Sequence, residues 1–352
     1  MNRTFRLSFF ALPVLLALSS CPGSTAELPV VRWEGRTMGS PYTVQLVGAN
    51  LPEQQVDALK AEVEACLKEV NRQMSHYDPE SELSRFNRAP ALTPFRISPE
   101  FARLVRFSLD LNRRSEGAFD PTISPVINLW GFGEKSEQRA VPSSADLAAA
   151  LKQTGCGHVS VTLKDELVKD IPALGLNLSA IAKGFGVDEM ARVLCAHGFT
   201  NVYVSIAGEV LALGHNARGT KWQVGVSSPV PNWREDDPMA AVLSLSGQAL
   251  STSGDYQKFF MDAQGHRLAH IFDPHTGWPV QHNVGGVSVV AENCMTADAL
   301  ATTLFVLGVE KGTKFIESWT NAAALFIVRE KGGSFRSLPS SRFATLTGYQ
   351  PQ

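Results

Sequence analysis

Residues 177–213 read NLSAIAKGFGVDEMARVLCAHGFTNVYVSIAGEVLAL, a helical pattern that runs directly into two strands. The helix is predicted over 183–197, where an apolar stripe repeats at helical spacing and Gly198 ends it. The strands are predicted over 201–206 and 209–213. Because strands follow one another in a block instead of alternating with helices, the chain is predicted to have an α+β fold and not a doubly wound sheet.

The rest of the chain repeats this block arrangement. Apolar residues at helical spacing predict helices over 59–74, 99–113 and 296–307, the second with Ser98 as its N-cap and Pro99 in its first turn. Further strands are predicted over 43–47, 222–226, 241–245, 284–290 and 322–329. No GxGxxG joins a strand to a helix, so the sequence does not support a Rossmann dinucleotide site.

Composition and charge exclude several classes of protein. The 352 residues contain 32 Lys and Arg against 34 Asp and Glu, a net charge of −2, so no broad basic surface is available for nucleic acid. Apolar residues make up 44% and charged residues 19%, as in a globular chain that can bury a core, and the length indicates about two domains or lobes. The five cysteines are too few for a disulfide scaffold. Four are interpreted as small buried apolar residues, although an oxidising compartment would permit a disulfide among them: Cys66, Cys156, Cys195 and Cys294.

The fifth cysteine belongs to a pattern typical of a bacterial lipoprotein signal. Arg3 and Arg6 precede a short apolar run, and small residues stand just before Cys21. We therefore predict a signal peptide over 1–20, a linker over 21–30 that carries lipid on Cys21, and a folded domain over 31–352 outside the cytoplasm. The alternative is an ordinary signal peptide in which Cys21 is incidental.

Two polar segments that contain glycine lie where a folded chain would normally form plain turns. Residues 117–122 read GAFDPT, and Asp120, held extended by Pro121, can accept hydrogen bonds from a ligand. Residues 177–188 are interpreted as a strand that enters a helix through a turn of small residues. These small residues let a ligand approach the backbone closely, and Lys183 adds positive charge for an anion such as a phosphate. Both segments have structural alternatives, in which Asp120 caps the amides of its own turn and Lys183 is a surface lysine.

Two further segments combine hydroxyl groups, carboxylates and histidines. Residues 251–256 read STSGDY and residues 270–279 read HIFDPHTGWP, and we interpret them as two turns on either side of a short hairpin. No GxSxG elbow is present, so a Ser/His/Asp hydrolase is not supported. In residues 296–302, TADALAT, Asp298 and Thr302 share one helix face as two oxygen ligands of a hard cation would. The alternative is a structural hydrogen bond between these two side chains.

Taken in order, these segments resemble the ApbE family, the FAD:protein FMN transferases of bacteria. The resemblance begins at TMGS, residues 37–40, ends near Gly308, and also includes YD, SELSRFN, GAFDPT, LWGFG, IAKGFGVD, VSIAGEV, STSGDY, HIFDPHTGWP and ADALATTLFVLG. It implies an α+β, two-lobed mixed-sheet fold with the flavin nucleotide in the cleft between the lobes. It further implies an enzyme that uses Mg²⁺ and FAD to attach FMN through a phosphoester bond to a Thr or Ser of a target protein, with release of AMP.

The resemblance also implies where such an enzyme works. Members of the family are extracytoplasmic and commonly lipoproteins, so the chain is expected in the bacterial cell envelope, lipid-anchored to a membrane and facing the periplasm. The implied acceptors are subunits of membrane redox complexes, such as ion-pumping quinone or ferredoxin oxidoreductases and nitrous oxide respiratory systems. Two alternatives stay open, an FAD pyrophosphatase that frees FMN and AMP, and a flavin-binding lipoprotein without catalysis.

Individual residues receive roles from the same resemblance. The side chains of Asp298 and Thr302 and the backbone carbonyl of Ala180 would hold Mg²⁺. His270 is the implied general base, and Asp273 would orient His270 or the metal. The FAD contacts fall at Met38, Tyr77, Ala118, Phe119, Asp120, Asn177, Lys183 and Phe272.

Four positions depart from the family pattern, and at two of them Ser179 and Ala180 replace a pair of glycines, which preserves the backbone carbonyl ligand. Asn177 stands where the family usually has an acid, which leaves the contact of this position with the nucleotide open. Ala207 replaces the first glycine of a GGD motif, and the acid of that motif is Glu209 in this chain.

Overall fold

An eight-stranded antiparallel sheet forms the centre of the computed structural model, which describes residues 27–133, 139–231, 234 and 237–351. The strands of this sheet are, in spatial order, β1 (Val30–Thr37), β2 (Ser40–Val47), β6 (Val202–Ile206), β7 (Glu209–Leu213), β10 (Gln248–Gly254), β13 (Val284–Ala291), β14 (Ala323–Arg329) and β15 (Phe335–Pro339). Smaller sheets contain β3 (Phe95–Arg96), β4 (Val159–Val161) and β5 (Glu166–Lys169), β8 (Trp222–Ser227) and β9 (Met239–Leu245), and β11 (Phe259–Met261) and β12 (Arg267–Ala269). The predicted signal peptide and Cys21 lie outside the described residues.

Helices supply the remaining regular structure. They are α1 (Glu53–Met74), α2 (Glu82–Arg88), α3 (Pro99–Arg114), α4 (Ser124–Leu129), α5 (Ser144–Leu151), α6 (Ala182–Ala196), α7 (Cys294–Glu317) and α8 (Phe343–Thr347). The apolar residues from Leu59 to Met74 that predicted α1 are buried along one face of that helix. Helix α7 continues beyond the predicted end at residue 307, through a kink at which Gly308 has φ 70°. Glycine adopts this backbone conformation without strain, so the chain can turn there and resume the helix.

Three apolar clusters divide the fold. The largest packs α1, α3, α6 and α7 against one face of the central sheet, and the second fills the other face beneath β8, β9 and α8. The third cluster is small and joins α4 and α5 to the hairpin of β11 and β12 as a smaller lobe. Strand β13 is buried at every position because it lies in the middle of the sheet with both faces covered. The predicted α+β class is confirmed.

Two segments differ from their predicted structure. Residues 251–254, predicted as a turn, belong to strand β10 because their backbone pairs with β13, whereas the predicted hairpin after them is present as β11 and β12. The segment before α6 was expected to be a strand, but it is not paired with one. There the side chain of Asn87 takes the place of a neighbouring strand, since it accepts the amide of Leu176 at 2.8 Å and donates to its carbonyl at 2.9 Å.

Two further observations concern the cysteines and the length of the helices. The four described cysteines are all free thiols, as predicted, but only Cys294 is buried and Cys195 is exposed. The prediction was wrong for Cys195 because that residue follows Leu194, the last buried residue of α6. No helix in the part of the chain that the structure describes has the length and apolar character needed to cross a membrane.

Helices α6 and α7 meet in a close contact at Gly184. A Cβ atom on Gly184 would lie 2.3 Å from the backbone oxygen of Cys294 and 2.8 Å from Cβ of Asp298. Backbone atoms cannot rotate away as a side chain can, so any larger residue would have to separate the two helices.

The contact predicts a large effect for a small substitution. We expect Gly184→Ala to lower the free energy of unfolding by about 1–3 kcal/mol, because the added methyl group overpacks the helix crossing. The matched control is Gly157→Ala, since a Cβ atom at Gly157 meets nothing within 4 Å, and we expect a change of no more than about 0.5 kcal/mol. Urea denaturation measures both values, and equal stability of the two variants would contradict the assigned contact.

Candidate functional site

Asp188 fixes the start of α7 from the neighbouring helix α6. Its two carboxylate oxygens accept the backbone amides of Cys294 and Met295 at 2.7 and 2.9 Å. Burial raises the pKa of Asp188 to about 6, although the two amide hydrogen bonds act in the opposite direction. Together with the glycine contact, this cap brings the first turns of α6 and α7 together, so that Lys183 lies within electrostatic range of Asp298.

Asp298 is a buried carboxyl group near the start of α7. It is 4% exposed, and its Oδ2 accepts the backbone amide of Gly184 at 2.9 Å. Burial, followed by the negative charge of Glu209, raises the pKa of Asp298 to about 7, while the Lys183 ammonium lowers it. Gly184 lies in the first turn of α6, where backbone amides have no partner within the helix, so the Asp298 carboxyl group supplies the acceptor that this amide needs.

Hydroxyl groups from strand β10 face the same part of α7. Thr302 Oγ1 and Ser253 Oγ lie 2.9 Å apart. Thr302 thus bonds to Ser253, whereas Asp298 bonds to Gly184, so these two side chains have separate partners and not the structural bond left open by the sequence. Ser251 is fully buried, and its hydroxyl lies close enough to the Asp298 carboxyl group to lower its pKa, without a well-formed hydrogen bond to any described residue.

Glu209, the first residue of β7, forms an ion pair with Lys183. Its Oε1 lies 2.7 Å from the Lys183 Nζ. Burial would lower the pKa of Lys183, but the carboxyl groups of Glu209 and Asp298 outweigh it and raise that pKa. Glu209 is 3% exposed, and its Oε2 is unpartnered within the described ranges. Strands β7 and β10 pair as far as Val210 and Leu250, and Glu209 and Ser251 are the adjoining residues, so two buried oxygens without a well-formed hydrogen bond come from adjacent strands.

The oxygen donors at this point suit a hard cation. Mg²⁺ prefers oxygen ligands and usually binds one or two carboxylates, with water and substrate phosphates completing its octahedral shell. Asp298 and Thr302, four residues apart on α7, offer oxygens of that kind, and the third predicted donor, the carbonyl of Ala180, stands just before α6. Among the residues with described positions, no group of three or more His, Cys, Asp or Glu side chains could hold a metal ion. A cation here would therefore depend on no more than two carboxylates together with neutral oxygens, and the unpartnered buried Oε2 of Glu209 near Asp298 fits such an ion.

His270 follows strand β12, and one carbonyl group fixes the orientation of its ring. The backbone amide and the ring Nδ1 of His270 each lie 3.1 Å from the carbonyl oxygen of Lys258. A carbonyl oxygen only accepts, so Nδ1 carries the proton and the neutral ring has its lone pair on Nε2. Burial, together with the positive charges of Lys258, Lys183 and Arg139, lowers the pKa of His270 to about 4. The imidazole is therefore neutral at neutral pH.

Asp273 bonds to His275 and not to His270 among the described residues, so of its two predicted roles only the one toward the metal stays a prediction. Its Oδ1 accepts the backbone amide of His275 at 2.9 Å and lies 3.2 Å from the His275 Nδ1. Its carbonyl also accepts the amide of Gly277 at 2.8 Å, which closes the turn. The structure thus places Asp273 in the turn 273–277 and assigns the orientation of His270 to the Lys258 carbonyl.

Asp120 is engaged within its own turn. Its Oδ1 accepts the amide and the hydroxyl of Thr122 at 2.7 and 2.6 Å, and the thiol of Cys156 lies 3.3 Å away. These bonds match the structural alternative for Asp120. The next residue, Pro121, accepts the amide of Asn177 at 2.7 Å, so the turn 117–122 lies against the segment that leads into α6.

Three predicted nucleotide contacts are buried. Ala118, Phe119 and Phe272 belong to the interior, and the ring of Phe272 lies 5.9 Å from that of Trp130. Trp130 in turn donates from Nε1 to the carbonyl of Gly277 at 2.8 Å, which joins the LWGFG and HTGWP segments. A nucleotide would contact these residues through their backbone or their ring edges.

The last two predicted contacts are more accessible. Met38 is half-buried in a turn with φ 49°, and its methyl group would lie 2.9 Å from a Cβ atom on Gly186. Tyr77 is 67% exposed, and its ring centroid lies 4.0 Å from that of His76. The Nδ1 of His76 lies 3.5 Å from the hydroxyl of Ser179, so the segments 76–77 and 177–180 are neighbours.

The structure thus brings most of the predicted segments to one place. Asp298 and Lys183 meet at the crossing of α6 and α7, and His270 lies within range of the Lys183 charge. Sequence reasoning did not assign a role to Glu209 or Ser251. A signal for Glu209 was available, since an acid that opens the apolar strand sequence EVLAL needs a buried partner.

The amino-acid sequence is similar to those of known proteins over almost its whole length. The sequence profile of the ApbE family matches residues 38–326. The FAD:protein FMN transferase of Haemophilus influenzae is 37% identical over 341 residues, which cover 96% of each chain, and that of Escherichia coli K12 is 32% identical over 92% of this chain and 91% of its own.

Solved structures agree with the sequence matches. The flavin transferase ApbE from Vibrio cholerae has a TM-score of 0.82 at 36% identity, covering 91% of this chain and 99% of the other. The apo form of the Pseudomonas stutzeri flavinyl transferase ApbE has a TM-score of 0.81 at 36% identity, covering 92% and 98%. Sequence and structure both match over almost the whole length, and the chain therefore belongs to the ApbE family.

Proposed function

We propose that this chain is an Mg²⁺-dependent FAD:protein FMN transferase, which attaches FMN through a phosphoester bond to a Thr or Ser of an extracytoplasmic protein and releases AMP. The observation that carries the proposal is the buried Asp298 carboxyl group, close to the unpartnered buried oxygens of Glu209 and Ser251. Buried charge without a counter-ion is costly, and a bound cation would compensate for it. The names of the relatives above support the same activity.

The cation would be held by Asp298, Thr302 and the carbonyl of Ala180. When bound, Mg²⁺ supplies positive charge that offsets the charge developing on the pyrophosphate as AMP leaves. Lys183 would add a second positive charge from the start of α6, where backbone amides also favour an anion. These groups come from two helices held in contact, so their positions are fixed before the substrate arrives.

His270 would accept the proton of the attacking hydroxyl group. Its Nδ1 is held by the Lys258 carbonyl, which leaves Nε2 as the basic nitrogen. As the proton passes to Nε2, the oxygen of the acceptor Thr or Ser forms a bond to the phosphorus of FMN. The bond from that phosphorus to the bridging oxygen breaks, and AMP leaves with this oxygen.

The lipid on Cys21 would keep the enzyme next to its acceptors, which we propose are subunits of membrane redox complexes. The described chain starts at residue 27, and the amide of Leu28 already donates to the carbonyl of Ala217 at 2.8 Å. Residue 27 follows Cys21 by six residues, and six residues span at most about 20 Å. A lipidated enzyme would thus act close to the periplasmic face of the membrane.

Transfer to a protein is the first prediction. The chain without its signal peptide is incubated with FAD, Mg²⁺ and a Thr-bearing periplasmic domain of a redox subunit, and the acceptor is weighed by mass spectrometry. We expect the acceptor to gain the mass of FMN less one water, and a Thr→Val acceptor to gain none. If free FMN and AMP accumulate while no acceptor gains mass, the enzyme is an FAD pyrophosphatase and the transferase proposal fails.

The metal assignment predicts that one substitution lowers the transfer activity without lowering the stability. Asp298→Asn keeps an oxygen for the Gly184 amide but removes the charge, so Mg²⁺-dependent transfer is expected to fall about 100-fold or more. Thermal stability should not fall, because burial and Glu209 disfavour the ionised carboxyl group. Glu310→Gln, in an exposed ion pair with Lys314 on the same helix, is the control and should retain full rate. Full transfer activity in Asp298→Asn would remove Asp298 from the metal site.

The environment of His270 predicts its titration. In the ligand-free protein its pKa of about 4 keeps the base neutral and active at neutral pH, and protonation removes it only as the pH falls through about 4. An NMR titration of the His270 ring measures this pKa directly. Lys258→Gln removes a positive charge but keeps the backbone carbonyl, so the pKa should rise, whereas Lys314→Gln should leave it unchanged. A titration near the ordinary value of about 6.5 would contradict the assigned surroundings.

A further inference from the structure

Lys183 lies near two buried carboxyl groups but pairs with one of them. Its Nζ is 2.7 Å from Oε1 of Glu209, and this is the ion pair that the structure records for Lys183 among the described residues. Asp298 influences Lys183 only from a greater distance, through its charge. The carboxyl group of Asp298 instead accepts an uncharged donor, the backbone amide of Gly184 at 2.9 Å.

The position of this ammonium group decides what Asp298 can bind. An ammonium and a divalent cation compete for the same carboxylate oxygens, and in a buried site the attraction between opposite charges is strong. If Lys183 turned toward Asp298, it would occupy the carboxylate that the proposed function assigns to the cation. Glu209 lies on the strand β7, so it draws the ammonium away from helix α7.

We propose that Glu209 is a positioning residue, which holds the Lys183 ammonium away from Asp298 and so keeps that carboxylate open for a divalent cation. The inference rests on the proposed function, since the cation site is part of it. Ala207, two residues earlier, has φ 55° in the tight turn between β6 and β7, and this turn fixes the start of β7. Glu209 is therefore held by its backbone as well as by the ion pair.

A purely structural ion pair would not have these features. Buried carboxylates in stable pairs normally have both oxygens bonded, because an unpaired buried oxygen costs free energy. Glu209 leaves its Oε2 without a partner in the described part of the chain. Its negative charge also disfavours the ionised form of Asp298. Two buried carboxyl groups repel each other here, and only one lysine in the described residues offsets their charge. Such an arrangement suits a site that binds a cation.

A double-mutant cycle on cation binding tests the proposal. The affinity for Mn²⁺ is measured from the electron paramagnetic resonance signal of the free ion, with ADP present to supply a pyrophosphate that carries no flavin. We expect Glu209→Gln to weaken Mn²⁺ binding about 10-fold, because the freed ammonium moves to Asp298. In the Lys183→Met background the same substitution should change the affinity by less than about 3-fold, since no ammonium remains to move.

The outcomes separate the possible roles of Glu209. Equal weakening in both backgrounds would mean that Glu209 acts as a simple negative charge or as a direct ligand, and would overturn the proposal, as would normal Mn²⁺ binding by Glu209→Gln. Circular dichroism checks the fold of each variant, and Glu310→Gln, which breaks an exposed Lys–Glu pair, should bind Mn²⁺ normally. Flavin transfer to an acceptor is scored separately by mass, so the positioning role and the transferase activity can fail independently.

Discussion

The contact between the first turns of α6 and α7 is the constraint on which the site depends. At Gly184 the two helices are too close for any side chain, and one turn later Asp188 accepts two amides from the start of α7. The first link sets the distance between the helices, and the second sets their register. The Gly184 amide then bonds to Asp298 across the contact, so the interaction that joins the helices also orients the carboxyl group at the centre of the site.

Burial disfavours the charged forms of the titratable groups at and around this contact. Burial raises the pKa of Asp298 and of Asp188 and lowers the pKa of His270, so in each case the charged form is disfavoured. Replacing buried ion pairs by apolar residues is often neutral or stabilising, so stability alone does not explain such a cluster. Perturbed groups of this kind are concentrated at functional sites, where a ligand supplies the missing charge.

The amino-acid sequence predicts the scaffold better than the contacts of the site. Helices such as α1 were predictable because burial of one face imposes a period on residues such as Leu59 and Val63, and the helical placement of Asp298 and Thr302 followed in the same way. Bonds between distant segments leave no such period. The side chain of Asn87 in place of a strand next to residue 176 could not be predicted from local pattern.

The hydrogen-bond partners of single polar groups could not be predicted from the local sequence pattern either. Asp273 bonds to His275, and a backbone carbonyl at residue 258, which any amino acid could supply, orients His270. Motif resemblance located the segments of the site, but it did not determine which side chain pairs with which. The Glu209–Lys183 pair illustrates this, because its partners are separated by 26 positions and come from a strand and a helix.

The cations around His270 connect substrate binding to base strength. In the free protein, burial and the charges of Lys258, Lys183 and Arg139 make the imidazole a weak base. If the proposed pyrophosphate bound beside these cations, its negative charge would offset them and raise the pKa of His270. A base whose pKa moves toward the working pH accepts a proton more readily. The cationic surroundings would thus serve two purposes, since they attract the anionic substrate and allow its binding to strengthen a base that is already neutral in the free protein.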